Sequence, residues 1–273
     1  MTDHRVKLVV SDVDGTIVRT DKSLAPSTIE AAARLQAAGI PLALVSARPP
    51  RGMQWIQEAL RLSGPLAGFN GGRLVGPDGR VLEEHLVPEA AARTALALFV
   101  ARGLTVFLFT GDDWLITDPN GAHVEHERRT VRFDPVVVDS FEPYIGAVAK
   151  LVGVSNDAPY LAAAEAELQC LLGGAANAKR SQTYYLDVTA QEANKGNAVR
   201  MLAAAQGVRL EEVAVLGDML NDVPMFEVAG FSVAMGNATD ELKARASAAA
   251  TSGNDSDGWA EAIDTLILPR AKP

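Results

Sequence analysis

The sequence predicts an α/β fold in which a parallel-sheet core is interrupted by an inserted α+β domain. Two observations carry this expectation. In residues 1–84 and again in residues 189–273, apolar runs alternate with helical stretches and end at short loops in acidic or small polar residues, the grammar of right-handed parallel units. In residues 85–188 neighbouring strands have few helices between them, as in an antiparallel sheet.

The first stretch, Val6 to Val18, reads as a buried strand that runs into Asp12, Asp14, Gly15 and Thr16. Such a strand delivers side chains to the carboxyl rim of an open α/β sheet, where ligands bind. Two aspartates one residue apart on an extended chain point to the same side. Taken alone, the pattern is equally that of an Asp-Gly turn closing a strand. A helix over Ser27–Ala38 is entered through Pro26 and closed by Gly39. Ile40–Val45 is the second strand, ending at Ser46-Ala47-Arg48, and Pro49 and Pro50 open a helix to Leu62. Leu66–Phe69 is the third, followed by Asn70-Gly71-Gly72 and a hairpin turning at Pro77-Asp78-Gly79.

The insertion opens with a helix over Pro88–Arg102. Strands are expected at Thr105–Phe109, Trp114–Thr117, Ala147–Val154, Ala176–Lys179 and Thr183–Val188, with an alanine-rich helix over Pro159–Leu172. Pro119–Arg132 is too weakly patterned to assign. After Asn194 come a helix Lys195–Gln206, a strand Val213–Leu216, a helix Leu220–Val228 and a strand Phe231–Ala234. A short helix at Asp240–Ala244, a strand of poor propensity at Ala246–Ala250 and a last helix Gly258–Ile267 complete the chain. The architecture is therefore a Rossmann-like core (1–84 and 189–273) split by a second domain (85–188).

A net charge of −9 argues against nucleic acid or an anionic membrane as partner, since both select basic surfaces. The single cysteine, Cys170, excludes an intramolecular disulfide and a cysteine-based zinc cluster; it is expected as a small buried hydrophobe on an apolar helix face. No apolar run is long enough for a signal peptide or a membrane span, so the expected setting is cytoplasmic, with no obligate protein partner.

The second half of the core supplies further acids. Strand Val213–Leu216 ends in Gly217-Asp218-Met219-Leu220-Asn221-Asp222. Facing Asp12 and Asp14, these carboxylates suit Mg²⁺, which takes a few carboxylate oxygens together with water and phosphate. Helix capping accounts for Asn221 and Asp222 as well, but leaves Asp218 unexplained. Ser46 offers a hydroxyl before a helix N-terminus, a ready phosphate site and equally a plain cap. Lys195 begins a helix, where the dipole disfavours a cation, which suggests a task at a phosphoryl oxygen or a neighbouring carboxylate.

Asp12-Val13-Asp14-Gly15-Thr16, Ser46, Lys195 and Gly217-Asp218-Met219-Leu220-Asn221-Asp222, in that order, resemble the motifs of the haloacid-dehalogenase-like phosphatases. The insertion between the second and third motifs looks like the large α+β cap, type IIB, of the Cof-type branch. The loops at Asn70-Gly71-Gly72, Ala234–Ala238 and Asn254–Gly258 also look like Cof-type sequence. The resemblance implies a Mg²⁺-dependent phosphomonoester hydrolase acting on small phosphorylated metabolites, sugar phosphates first among them. It implies Asp12 as nucleophile and Asp14 as general acid and base, with Ser46 and Lys195 holding the transferring oxygens. Gly15, Ala47, Arg48, Asn70 and Asn221 would join Ser46 and Lys195 around the substrate. The metal would lie among Asp12, Asp14 (through its carbonyl) and Asp218, with Asp222 and Asn221 in support.

Two departures stand out. Ala47 occupies a position that is usually Gly, and would be strained if the loop needed a positive φ there. Phe69 stands where the branch often has Thr. In the insertion, His123 and His126 have no evident third ligand and read as part of a solvated charged face. Trp114, Arg128, Arg129 and Arg132 are possible substrate contacts that sequence cannot rank. A sugar phosphomutase is the rival in chemistry, and a non-catalytic phosphate-binding regulator the rival in class.

Overall fold

The computed structural model describes residues 5–271. Strand β1 (Leu8–Asp12) is followed by α1 (Pro26–Ala37), β2 (Leu42–Val45), α2 (Gln54–Ala59), β3 (Leu66–Gly68), β4 (Arg73–Val75) and β5 (Val81–Glu84). The insertion contains α3 (Glu89–Ala101), β6 (Thr105–Phe109), β7 (Trp114–Ile116), α4 (Val124–Val131), β8 (Val136–Val137), β9 (Lys150–Val154), α5 (Ala158–Leu172), β10 (Asn177–Gln182) and β11 (Tyr185–Thr189). The chain closes with α6 (Lys195–Ala205), β12 (Val213–Gly217), α7 (Val223–Val228), β13 (Phe231–Ala234), α8 (Asp240–Lys243), β14 (Ala248–Ala249) and α9 (Gly258–Ala262).

The outer blocks combine into one eight-stranded sheet, ordered β14-β13-β12-β1-β2-β3-β4-β5. It is parallel from β14 to β3, and β4 and β5 extend it as antiparallel strands. β1 and β12 lie side by side at its centre, Leu8 opposite Val213 and Ser11 opposite Leu216, so both acidic strand ends reach the same rim. Their side chains are buried on both faces, which is why these strands read as continuous apolar runs. One face packs on α1 and α9 through Val9, Leu35 and Ala262, and the other on α6 and α7 through Val10, Leu202 and Phe226. Indole Nε1 of Trp259 in α9 donates to Ser11 Oγ at 3.0 Å, and that hydroxyl donates to Asp12 O at 2.7 Å, tying a helix to the end of β1.

The insertion forms a six-stranded sheet, β10-β11-β9-β6-β7-β8, antiparallel except for the β7–β8 pair. Period-two alternation divides its faces. Leu151, Leu186 and Val188 pack against α3 and α5. Val152, Phe107 and Phe109 lie on the opposite face with Trp114, and Phe69 of the core joins their cluster. The Phe69 and Phe109 ring centroids are 5.9 Å apart.

Several expectations need correction. The stretch left unassigned contains α4, flanked by His123 and Arg132, both in left-handed backbone at φ 60°. Neither end carries the Ser, Asp or Gly that announces a helix boundary. Cys170 is exposed. The buried stripe of α5 runs through Leu161, Ala164, Leu168 and Leu172, and a residue two positions from both Leu168 and Leu172 falls on the opposite side. The strand at Ala246–Ala250 shrinks to Ala248–Ala249. The helix expected from Leu220 begins as a 3₁₀ turn over Leu220–Asp222 and becomes α-helical only at Val223, with Pro224 in its first turn. No helix among the described residues is long and apolar enough to cross a membrane.

Candidate active site

The rim above β1 and β12 gathers Asp12, Asp218, Asp222 and Lys195, each less than a tenth exposed. Lys195 Nζ donates to Asp12 Oδ1 at 2.6 Å and to Asp222 Oδ1 at 2.5 Å. Those two carboxylates account for a lysine at the wrong end of a helix: α6 starts at Lys195, capped by the Asn194 side chain accepting from Asn197 N at 2.9 Å. Burial works against the ammonium, but Asp12 and Asp222 outweigh it and hold the lysine charged. Asp222 Oδ2 accepts from the backbone N–H groups of Asp218 and Met219, at 2.8 and 3.0 Å. Both of its oxygens are thus engaged, and Asp222 acts as the peg that fixes Lys195 and the loop after β12.

Oxygens of Asp12, Asp218 and Asp222 lie within 4.8 Å of one another. Three carboxylates against one ammonium leave an excess of negative charge in a buried place. Burial, reinforced by the neighbouring acids, pushes Asp12 well above the ordinary carboxylate range despite Lys195. Burial and then Asp222 push Asp218 up to about 6. A site that resists ionisation for lack of a counter-charge fits a divalent cation. The local backbone is shaped to the same end. Gly15 has φ +79°, and a Cβ there would stand 2.2 Å from Asp218 Oδ2. The Thr16 hydroxyl donates to Asp218 Oδ1 at 3.1 Å, and Asn237 Nδ2 donates to Gly15 O at 2.9 Å.

Asp14 points elsewhere. Its carboxylate receives Arg48 Nε and Nη2, both at 2.7 Å, and Lys22 Nζ at 2.7 Å. Burial would raise its pKa, but the Arg48 hydrogen bonds and charge, with Lys22, overcome that and hold it well below the usual range. Arg48 also donates from Nη1 to Thr130 O of α4 at 2.8 Å, joining the insertion to the core. Ser46 is buried at the end of β2, its Oγ accepting from Arg48 N at 3.2 Å. Ala47 is not among the residues with positive φ, so the loop accommodates Ala without strain; Phe69 and Asn70 take the positive φ values instead.

One cleft brings Asp12, Asp14, Ser46, Ala47, Arg48, Lys195 and Asn221 together with side chains of the insertion. Asn70 lies outside this cleft, in an adjoining cavity that Lys195 and Asn221 share. Gly15 lines neither and serves as the backbone beside Asp218. Sequence reasoning missed the cleft's other residues. Lys150, buried on β9, donates to Ala47 O at 3.1 Å. Glu127, buried on α4, accepts from the Tyr185 hydroxyl at 3.0 Å, and burial raises its pKa. Lys22, His126 and Tyr184 also line it. A lysine inside the apolar run Lys150–Val154, on the same face as Val152 and Val154, was the one local signal available.

Of the other candidates in the insertion, only His126 lines the cleft. Trp114 is fully buried against Phe107 and Phe109, hence no substrate contact. Arg128 and Arg129 pair with Glu125, and Arg132 stacks 3.5 Å from the Trp55 ring. His123 stacks on Tyr184 and bonds Asn156, while His126 reaches the Tyr184 hydroxyl at 3.3 Å. Neither histidine belongs to a group of metal-ligating side chains among the described residues.

Residues 9–263 match the family model described as haloacid dehalogenase-like hydrolase. A putative phosphatase of Haemophilus influenzae is 29% identical over 271 residues, covering 98% of each chain. Pyridoxal phosphate phosphatase of Escherichia coli is 28% identical over 250 residues, 88% of this chain and 91% of that one. The crystal structure of a haloacid dehalogenase-like hydrolase from Bacteroides thetaiotaomicron superposes with a TM-score of 0.88 at 30% identity, covering 96% of this chain and all of its own. With the fold, the order of the motifs and the matched span in agreement, the chain belongs to the haloacid dehalogenase-like hydrolase family, as an enzyme of its Cof-type phosphatase branch.

Proposed function

We propose that the enzyme is a Mg²⁺-dependent phosphomonoesterase of small metabolites, sugar phosphates first among them, working through an aspartyl-phosphate on Asp12. In this reading residues 85–188 are the cap that closes over the core. The supporting observation is the buried arrangement of Asp12, Lys195 and Asp222 beside Asp218, which presents one carboxylate, held by one ammonium, to the cleft. Asp12 and Asp218 would hold the cation, with the Asp14 carbonyl, and Asp222 would keep the loop in place. When bound, Mg²⁺ supplies neutralisation of the phosphoryl oxygens, which two carboxylates would otherwise repel.

The protein's own part follows from the contacts. Asp12 attacks phosphorus and the bond to the leaving oxygen breaks. Lys195 and Ser46 hold the transferring oxygens. A proton from Asp14 completes the leaving alcohol; Asp14 then takes one from the water that attacks the aspartyl-phosphate, releasing phosphate and restoring Asp12. Clamped by Arg48 and Lys22, Asp14 is in the proton-accepting state. Donation requires that this grip loosen when substrate enters and that Asp14 take up a proton from solvent before the leaving oxygen departs.

Hydrolysis is favoured over mutase chemistry. A site for a second phosphate is expected to use a cluster of arginines, whereas Arg128 and Arg129 pair with Glu125 and Arg132 stacks on Trp55. A second reading of the substrate, an aromatic phosphate such as the pyridoxal phosphate named for the Escherichia coli relative, is favoured by Tyr184 and His126 in the cleft wall.

The test is phosphate release from p-nitrophenyl phosphate, hexose 6-phosphates and pyridoxal phosphate with and without Mg²⁺, comparing wild type with Asp12→Asn. Release that persists in the variant would end the nucleophile assignment. Hexose 1-phosphate with catalytic hexose bisphosphate, giving 6-phosphate much faster than free phosphate, would replace the hydrolase with a mutase.

A further inference from the structure

The loop Ser46-Ala47-Arg48 at the end of β2 has three backbone carbonyls, and each is held. Ser46 O accepts from Asn70 N at 2.7 Å and Arg48 O from Phe69 N at 2.9 Å, both within the core. Ala47 O, between them, is held from the insertion, where Lys150 Nζ of β9 donates to it at 3.1 Å. Lys150 is 5% exposed. Its charge is balanced by an ion pair with Asp187 Oδ2 of β11 at 3.5 Å, and its ammonium lies 5.0 Å from the centre of the Phe109 ring. Asp187 is equally buried, and neither of its side-chain oxygens makes a hydrogen bond. Apolar residues would serve stability as well as such a buried pair does. What the pair adds is one charged donor, aimed at a loop of the core.

The carbonyl that Lys150 holds belongs to the same planar peptide unit as the N–H of Arg48. That N–H donates to Ser46 Oγ at 3.2 Å. Fixing one end of the plane fixes the other. A cation on the oxygen also polarises the unit and strengthens its N–H as a donor. The Ser46 hydroxyl, accepting from Arg48 N, keeps its own proton for an acceptor in the cleft that it lines with Asp12 and Lys195. A single chain of contacts therefore runs from Asp187 through Lys150 and the peptide between Ala47 and Arg48 to Ser46 Oγ.

We propose that Lys150 is a positioning residue for phosphoryl transfer: by holding that peptide it turns the Ser46 hydroxyl toward the transferring oxygens. The proposal rests on the phosphomonoesterase reading above, in which Ser46 holds one of those oxygens. It gives the insertion a part in the phosphoryl half of the site, separate from any contact with the leaving group.

The test is a mutant cycle between Lys150 and Ser46. Lys150→Met alone strands Asp187, so it is made together with Asp187→Asn, which leaves no unpaired buried charge and should keep the melting temperature near that of wild type. With Mg²⁺ present, this paired variant should lose about tenfold or more in kcat with KM within about threefold of wild type. The loss should be the same on p-nitrophenyl phosphate and n-hexyl phosphate, which share only the phosphoryl group. Ser46→Ala should lose about 100-fold or more. Adding it to the paired variant should give a protein within about threefold of Ser46→Ala alone, because the lysine then has no hydroxyl to position. Losses that multiply overturn the proposal. So does a loss carried by KM or confined to one leaving group, since either makes Lys150 a direct substrate contact, and so does a paired variant with the kcat of wild type. Wild-type rates in Ser46→Ala, or no phosphate release by wild type, would refute the reading on which the proposal rests and the proposal with it.

Discussion

Arg48 grips Asp14 with two nitrogens at 2.7 Å while its third nitrogen donates to Thr130 O in the insertion. One guanidinium therefore touches both the candidate acid–base residue and the segment that covers it. Removal of the Asp14 carboxylate should be felt according to the leaving group, because an acid matters least when the departing oxygen is already a stable anion. Asp14→Asn is expected to lose at least about tenfold more kcat on an alkyl phosphate than on p-nitrophenyl phosphate. Equal losses on the two substrates would count against proton donation by Asp14.

Lys195 sits between two buried carboxylates, so its removal leaves both uncompensated. Lys195→Met should cost about 3–5 kcal/mol in urea-induced unfolding of the metal-free protein, and Lys195→Met with Asp222→Asn should recover part of it. Activity should not return with stability in the double variant. Recovery of both together would mean that the lysine serves the fold alone.

Chelation should abolish turnover and Mg²⁺ should restore it. Asp218→Asn should raise the Mg²⁺ concentration needed for half-maximal rate by about tenfold or more, since one of few carboxylate ligands is lost. Gly15→Ala should act in the same direction, as its Cβ would collide with Asp218 Oδ2 at 2.2 Å in a backbone of φ +79°. An unchanged Mg²⁺ requirement in both variants would place the cation elsewhere.

Glu127 supplies a dependence on pH. Burial raises its folded-state pKa above the unfolded value of 4.5, so the folded protein retains the proton while the unfolded chain releases it. Stability therefore falls as pH rises through that interval and stays reduced above it. Glu127→Gln should unfold at the same temperature as wild type at pH 4 and about 2 °C or more higher at pH 7.5. A variant that melts lower than wild type at pH 7.5 would show the carboxylate to be stabilising.

The acids at the core rim were legible because strand ends are local events: an apolar run stopping at Asp12, or at Gly217 and Asp218, is written in consecutive residues. Lys195 was visible through its clash with the helix dipole. Lys150 and Glu127 were hidden because they enter the cleft only when the insertion meets the core, which no local pattern encodes. Lys22 was hidden because its contact with Asp14 depends on how the loop after β1 turns back. Helix α4 escaped for want of boundary residues. The concern over Ala47 came from a usual Gly at that position, while the positive φ values belong to Phe69 and Asn70.

Phe69 belongs by sequence to the core but is fully buried in the aromatic cluster of the insertion, alongside Phe107, Phe109 and Trp114. The inserted segment is therefore not an interchangeable part. Grafted onto another core that lacks a large side chain at that loop, it would carry a hole the size of a phenyl ring, with a cost of about 3–5 kcal/mol for such a truncation. In this chain a change at the loop after β3, which belongs to the core, is therefore felt first in the packing of the insertion.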